Sequence, residues 1–257
     1  MTGSIGASRG PKMSSNETLV TEDGVEIAFE HFRNGFDSVI IVCPGFFNSK
    51  ANGAIRKAID LVSGEHDVII FDFRGHGKSG GKFTWTAKEP SDLDAVIGYA
   101  VKSGYKRIGV IGFSLGAAIA IIVAARRTEI KSMALVSAPY SFWDINYHFW
   151  EPEMFSDLKA MIDCRFEGKG VKIDHIFMDK ERPIDMIAAV KDSAILFIHG
   201  AKDWVIKDYH SKKLFNSATV YEKKLEIFSD GLHAERLIEQ YPGRMKDLIS
   251  EWFRQTL

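Results

Sequence analysis

The segment RIGVIGFSLGAA at residues 107–118 carries the strongest fold signal in the chain. It predicts a short apolar strand that runs into a G-x-S-x-G pentapeptide and then into a helix at about 117–126. Gly112 and Gly116 lack the Cβ atoms that would collide where the strand and the helix approach each other. Ser114 is therefore predicted at a sharp strand-to-helix corner, with its hydroxyl presented at a helix N-terminus.

A serine hydroxyl needs a base to become a nucleophile, and the sequence places a histidine and an acid after later strands. The apolar strand at 194–200 is followed by a loop with Asp203, and the strand at 225–228 by a loop with His233. Only His233 follows the final strand in a short loop before the last helix. The competing carboxylates are Asp208 and Asp185, and the competing histidines are His199, His210 and His76. We interpret Ser114, Asp203 and His233 as the candidate catalytic triad.

The chain order serine, aspartate, histidine resembles that of the α/β-hydrolase superfamily. Residues 71–80, FDFRGHGKSG, support the resemblance because they look like the D-x-R-G-x-G-x-S loop common after the fourth strand of these proteins. The resemblance runs from about Thr18 to the C-terminus. The acid loop and the serine motif are most similar to those of small bacterial carboxylesterases, including cinnamoyl and feruloyl esterases. The resemblance implies a serine hydrolase of the α/β-hydrolase fold.

The same resemblance implies an oxyanion hole made by two backbone N–H groups, those of Phe46 and Leu115. Phe46 lies in the loop at 43–48, after the predicted third strand. In the resembling esterases this loop usually begins His-Gly, whereas Pro44 stands at the position of that histidine. Proline lacks an N–H, but the inferred donor follows the glycine, so we still expect the hole to form.

The remaining pattern predicts an α/β-hydrolase fold: a mostly parallel central sheet of about eight strands flanked by helices, with a cap inserted after the sixth strand. A hairpin at 19–32 comes first, and helices and strands then alternate. The predicted helices span about 51–62, 92–102, 117–126, 184–190, 208–216 and 234–253. Ser91 and Asp94 are predicted to form a capping box at the start of the second helix. The predicted domains are a disordered tail or cloning remnant at 1–17, a core at 18–137 and 183–257, and a cap or lid at 138–182.

The segment at 138–182 is far longer than an ordinary connection between a strand and a helix. It is rich in aromatic residues, which could roof a substrate pocket or pack into a small core of the cap itself. We predict substrate contacts for Trp143 and Trp150 in this segment. Phe47 is the third predicted substrate contact. It lies in the loop at 43–48, which we call the oxyanion loop.

Composition limits the remaining function classes. The 33 basic and 34 acidic side chains nearly balance, so no net charge favours nucleic acid or an anionic membrane as a partner. Two cysteines, Cys43 and Cys164, give no disulfide framework and suit a cytoplasmic enzyme. We find no apolar run of the roughly 20 residues that a membrane span needs, no zinc-site spacing and no phosphate loop. We therefore expect no metal and no cofactor, and the oligomeric state stays open, with a homodimer as one option.

The predicted function is hydrolysis of carboxylic esters with short to medium acyl or aryl groups, an activity of class EC 3.1.1. His233, oriented by Asp203, would take the proton of Ser114, and water would later cleave the acyl-enzyme. The substrate would be a small-molecule ester. Two alternatives remain: an acyl thioesterase or serine peptidase or amidase, and a homologue that binds a ligand without turnover.

Overall fold

The computed structural model describes residues 17–146, 148, 150–155, 170–175 and 177–257. The predicted tail lies outside the described residues apart from Glu17, which belongs to the first strand. Cys164 also lies outside them.

A single eight-stranded sheet forms the centre of the described part of the chain, in the order β1-β2-β4-β3-β5-β6-β7-β8. β1 and β2 form the predicted antiparallel hairpin, β2 pairs antiparallel with β4, and the pairings from β4 to β8 are parallel. The mostly parallel sheet predicted from the sequence is confirmed. The strands are β1 Glu17–Val20, β2 Glu26–Phe32, β3 Ser38–Cys43, β4 Asp67–Phe71, β5 Arg107–Phe113, β6 Ile130–Val136, β7 Ala194–Gly200 and β8 Lys223–Phe228.

Helices cover both faces of the sheet. They are α1 Gly53–Val62, α2 Glu89–Lys102, α3 Leu115–Ala124, α4 Pro183–Met186, α5 Tyr209–Ser217, α6 Arg236–Gln240 and α7 Pro242–Thr256. Successive side chains of a strand point to opposite faces, so Ile41 of β3 packs into one core and its neighbours Ile40 and Val42 into the other. The first core contains α2, α3 and α5, and the second contains α1, α6 and α7. Burial on both faces explains the near-continuous apolar strands.

Two helix predictions were wrong, one at its start and one in its interior. α2 begins at Glu89 rather than at residue 92, so Ser91 lies inside the helix and cannot form the predicted capping box. The predicted helix at 234–253 is two helices, because Pro242 begins the second one and the residue before a proline is driven out of the helical region. Tyr241 accordingly has φ −132° and ψ 54°.

The long segment between β6 and α4 returns to the sheet before its end. Val171 forms an antiparallel bridge with His76, and Ile173 a parallel bridge with Phe83. The Phe83 N–H donates to the carbonyl of Lys172 at 2.7 Å. The last part of this segment therefore docks on the loop after β4, at the carboxyl edge of the sheet.

Candidate active site

Ser114 occupies the corner between β5 and α3. Its backbone has φ 50° and ψ −109°, a region that residues other than glycine rarely adopt, and its N–H donates to the carbonyl of Val136 at 2.8 Å. A Cβ added to Gly112 would lie 2.6 Å from Cα of Ala117, so the turn tolerates no side chain there. Such a strained, closely packed corner is what the glycine spacing predicted.

The loop after β3 lies directly beside this corner. A Cβ on Gly45 would be 3.5 Å from the Cβ of Ser114, and a Cβ on Gly116 would be 2.2 Å from the carbonyl oxygen of Cys43. The backbone N–H groups of Phe46 and Leu115 donate to no other group in the part of the chain that the structure describes. Their role as the two donors of an oxyanion hole stays a prediction.

Asp203 is completely buried at the end of β7. Its Oδ1 accepts hydrogen bonds from the N–H groups of Val205 at 3.0 Å and Ile206 at 2.8 Å. Its Oδ2 lies 2.7 Å from Nδ1 of His233 and 3.3 Å from Nε2 of His199. Burial alone would raise the pKa of Asp203, but the charge of His233 and the hydrogen bonds from both histidines outweigh it, so this pKa lies below its usual range.

His233 sits in the loop after β8 with about an eighth of its side chain exposed. Because Nδ1 faces the carboxylate of Asp203, Nδ1 carries the proton in the neutral ring. Nε2 then carries the lone pair that a general base needs. The next residue, Ala234, has φ 48° and donates its N–H to Oγ of Ser137 at 3.0 Å. Ser137 directly follows Val136, the acceptor for Ser114, so the end of β6 links the serine corner to the histidine loop.

A second contact ties the oxyanion loop to the histidine loop. The amide nitrogen of Asn48 donates to the carboxylate of Glu235 at 2.7 Å, and its oxygen accepts from Asn52 at 2.8 Å. Asn52 in turn caps α1 through its side chain. This tether could not be predicted from the sequence, since 187 residues separate its two ends.

His199, one of the competing histidines, lies beside the acid and not in the position of the base. Its ring contacts the carboxylate of Asp203, with Nε2 also 2.7 Å from the carbonyl of Ile206 and Nδ1 2.6 Å from Oγ of Ser211. Its position directly before Gly200, at the end of a strand, was the available signal.

The other rival residues lie in separate contacts. Asp208 pairs with Lys212, and Asp185 with Arg182. His210 accepts the N–H of Tyr140, and His76 is 3.0 Å from the carbonyl of Arg74. The geometry thus supports Asp203 and His233 over their rivals, and their catalytic roles remain predictions.

The three predicted substrate contacts fall in two places. Phe47 lies in the oxyanion loop, with φ 62° and its ring centre 4.0 Å from that of Phe46. Trp143 and Trp150 are 64% and 74% exposed, and their rings contact Lys180 and His148 respectively. The two tryptophans therefore present most of their surface to solvent, and a role in substrate binding stays a prediction.

The described residues also bear on two other classes of site. They hold no group of three or more histidine, cysteine, aspartate or glutamate residues that could bind a metal ion. The helices in this part of the chain are all too short or too polar to cross a bilayer.

Comparison with known proteins agrees with the fold. A family model described as the alpha/beta hydrolase fold matches residues 38–169. An esterase from Pyrococcus furiosus, Pf2001, superposes with a TM-score of 0.76 and 25% identity, covering 96% of this chain and 93% of that one. The esterase EaEST from Exiguobacterium antarcticum superposes with a TM-score of 0.73 and covers 93% and 100%, but at 14% identity it shows the fold alone.

Two curated relatives match a shorter region. An uncharacterized hydrolase of Bacillus subtilis, YugF, is 28% identical over 122 residues, which are 47% of this chain and 44% of that protein. Lysophospholipase L2 of Escherichia coli is 28% identical over 127 residues, which are 46% and 37%. The matched part of the chain thus spans less than half of the length of these two relatives. None of these matches indicates the cinnamoyl or feruloyl esterase subtype.

Proposed function

The chain belongs to the alpha/beta hydrolase fold family, and on that premise we propose that it is a serine carboxylesterase acting through an acyl-enzyme on Ser114. The observation that carries the proposal is the contact between the buried Oδ2 of Asp203 and Nδ1 of His233, 2.7 Å apart, on loops that are tied to the strained corner at Ser114. An isolated turn serine needs neither that corner nor an imidazole held in one tautomer by a buried carboxylate.

The chemistry follows from the protonation states. Nε2 of His233 accepts the hydroxyl proton as Oγ of Ser114 attacks the ester carbonyl, and the carbonyl electron pair moves to the oxygen. The N–H groups of Phe46 and Leu115 stabilise that oxyanion. When the intermediate collapses, the alcohol leaves with the proton from His233, and Ser114 stays acylated. Water activated by His233 then releases the acid by the same steps.

The proposed substrates are carboxylic esters with short to medium acyl or aryl groups. Support comes from the esterase Pf2001, which resembles nearly the whole chain, and from the aromatic side chains beside the oxyanion loop. Burial of apolar acyl surface against such rings contributes roughly 25 cal/mol per Å².

The test combines covalent labelling with a substrate panel. A fluorophosphonate probe should label the wild type and fail on Ser114→Ala, and Ser250→Ala should be labelled as the wild type is. Aryl and alkyl esters should be hydrolysed faster than acyl-CoA thioesters or peptide amides. Preference for a thioester or an amide would select the alternative enzyme class. Unlabelled, inactive wild type would favour a homologue that binds without turnover.

A second candidate is hydrolysis of a monoacyl phospholipid, favoured by the similarity to lysophospholipase L2. The exposed aromatic residues of the long segment also favour it, because they offer apolar surface to an aggregated lipid. These are Trp143, Trp150, Phe155 and Phe177, which are 64%, 74%, 69% and 72% exposed. Release of fatty acid from lysophosphatidylcholine faster than from a butyrate ester would select this candidate.

A further inference from the structure

The turn that precedes α2 is strained at two consecutive residues. Trp85 has φ 57° and Thr86 has φ 77°, although neither is a glycine and threonine is β-branched. The left-handed region is costly for such side chains, so the surrounding structure must enforce it. Strain of this kind concentrates at functional sites.

A buried carboxylate enforces this turn. Glu89, the first residue of α2, is fully buried, and its Oε1 accepts the N–H of Thr84 at 2.6 Å. Its Oε2 accepts the N–H of Thr86 at 2.6 Å, and both oxygens lie 3.0 Å from the Thr84 hydroxyl. One side chain thus grips the backbone on both sides of Trp85 and fixes the direction in which the indole leaves the turn.

The indole is held against the oxyanion loop. Its ring centre lies 4.9 Å from that of Phe46, 5.5 Å from that of Phe83 and 6.0 Å from that of Phe142. Phe83 is buried, whereas Trp85, Phe46 and Phe142 are each only partly buried. The accessible parts of these three rings therefore form an apolar surface. This surface includes the ring of Phe46, whose backbone N–H is a proposed oxyanion donor.

We propose that Trp85 is a specificity-determining wall of the subsite for the acyl group of the ester, and that this subsite takes planar aromatic acyl groups. The proposal rests on the esterase function proposed above and deepens it. Aromatic pairs gain attraction beyond the apolar area that they bury, so a ring in the acyl group gains more from this wall than an alkyl chain does. Glu89 acts as a positioning residue, because it touches the turn and not the substrate.

The test measures kcat/KM by proton release for ethyl 3-phenylpropanoate and ethyl hexanoate, which share a leaving group. The wild type should favour the phenylpropanoate, and Trp85→Leu, which keeps apolar volume but loses the ring, should lower that preference by about three- to tenfold. Trp85→Phe should restore most of it. Tyr221→Leu is the matched control, since Tyr221 is a fully exposed aromatic residue, and it should leave both rates unchanged.

The same ratio tests the positioning role of Glu89. Glu89→Gln replaces one acceptor oxygen by an amide that cannot accept the N–H facing it, so it should release the turn. We expect it to lower the aryl preference as Trp85→Leu does, with no further loss in the double variant. Circular dichroism of each variant separates a released turn from a misfolded chain.

Three outcomes would overturn the proposal. An unchanged aryl preference in Trp85→Leu, with hydrolysis still dependent on Ser114, would leave the esterase standing and remove the subsite. Loss of the preference in Trp150→Ala but not in Trp85→Leu would move the acyl wall to the long segment. Absence of Ser114-dependent hydrolysis of every ester would overturn the esterase function and this subsite with it.

Discussion

Asp72 and Asp203 are both buried carboxylates that follow a strand at the carboxyl edge of the same sheet, yet their pKa values are shifted in opposite directions. Asp72, after β4, accepts the N–H groups of Lys50 at 2.6 Å and Lys78 at 2.9 Å. Burial dominates there and raises the pKa of Asp72. Asp203, after β7, faces two imidazoles as well as two N–H groups, and its pKa lies below the usual range.

The difference lies in what each carboxylate touches. Asp72 holds two loops in place by accepting their backbone N–H groups. A Cβ on Gly77 would fall only 2.2 Å from Oδ2 of Asp72, so this contact is tightly packed and structural. Asp203 holds the imidazole of His233 through its Nδ1. Burial of a carboxylate at a strand end therefore does not by itself point to a catalytic acid, whereas contact with a partly exposed imidazole makes Asp203 the candidate.

Replacing each aspartate by asparagine gives the strongest test of that distinction. Asp203→Asn should lower kcat by about 10³- to 10⁴-fold, because the amide favours the wrong tautomer of His233. Asp72→Asn should change kcat by less than about tenfold, but it should destabilise the fold by about 1–3 kcal/mol, since one N–H loses its acceptor. Ester hydrolysis and urea unfolding of both variants measure the two effects. Similar kcat losses in the two variants would erase the distinction.

The pH dependence of the wild type should report the imidazole and not the acid. Asp203 has a depressed pKa and stays ionised, so only deprotonation of histidine limits the base. We expect kcat/KM to rise about tenfold per pH unit at acid pH and to level off at roughly pH 6 to 7.5. Measurement from pH 5 to 9, with chemistry shown to limit turnover, checks this. A flat profile would exclude His233 as the base.

The sheet and the serine corner could be predicted because their signals are local. The apolar run at 107–113 and the glycines around Ser114 lie within ten residues of each other, and sterics alone connect them to the corner geometry. Asp203 and His233 followed from their places after strands, since parallel strands bring their carboxyl ends to one edge. The mostly parallel sheet was also predicted from local strand patterns, and the structure confirms it.

The contacts that join the loops could not be predicted, because they connect residues far apart in the chain. The Asn48–Glu235 bond and the Trp85–Phe46 packing depend on how finished elements pack. The start of α2 was misplaced because Ser91 offered a plausible cap in sequence, while Glu89 gains its role only from the folded turn at 84–86. The domain division and the tryptophan contacts stay predictions.

A smaller effect should follow from the second imidazole on the acid. His199→Gln removes the ring that lies 3.3 Å from Oδ2 of Asp203. We expect kcat to fall about three- to tenfold, since a group that orients a catalytic residue contributes less than the residue itself. His210→Gln is the matched control, because His210 is also a buried histidine and accepts the N–H of Tyr140. This variant should change kcat by less than about twofold. Equal losses in both variants would show a general packing effect.

The smallest predicted effect is on acid stability, where the two carboxylates should act in opposite directions. A depressed folded-state pKa means that Asp203 stabilises the fold above its unfolded pKa of about 3.9 and loses that contribution as pH falls. The raised pKa of Asp72 favours its protonated form in the folded state, so its contribution improves as pH falls.

Urea unfolding at pH 5 and at pH 3 separates the two signs. Between these values Asp203→Asn should lose about 1 kcal/mol less stability than the wild type, because it lacks a carboxylate that only the unfolded chain protonates in this range. Asp72→Asn should lose more stability than the wild type. Burial also lowers the pKa values of His31, His76 and His210 to about 4, so all three titrate in this window. His31 and His76 do so equally in all three proteins. His210 also feels the charge of Asp203, so the Asp203→Asn comparison is repeated in a His210→Gln background. Identical slopes in the two variants would mean that the contrast between the carboxylates is confined to their geometry.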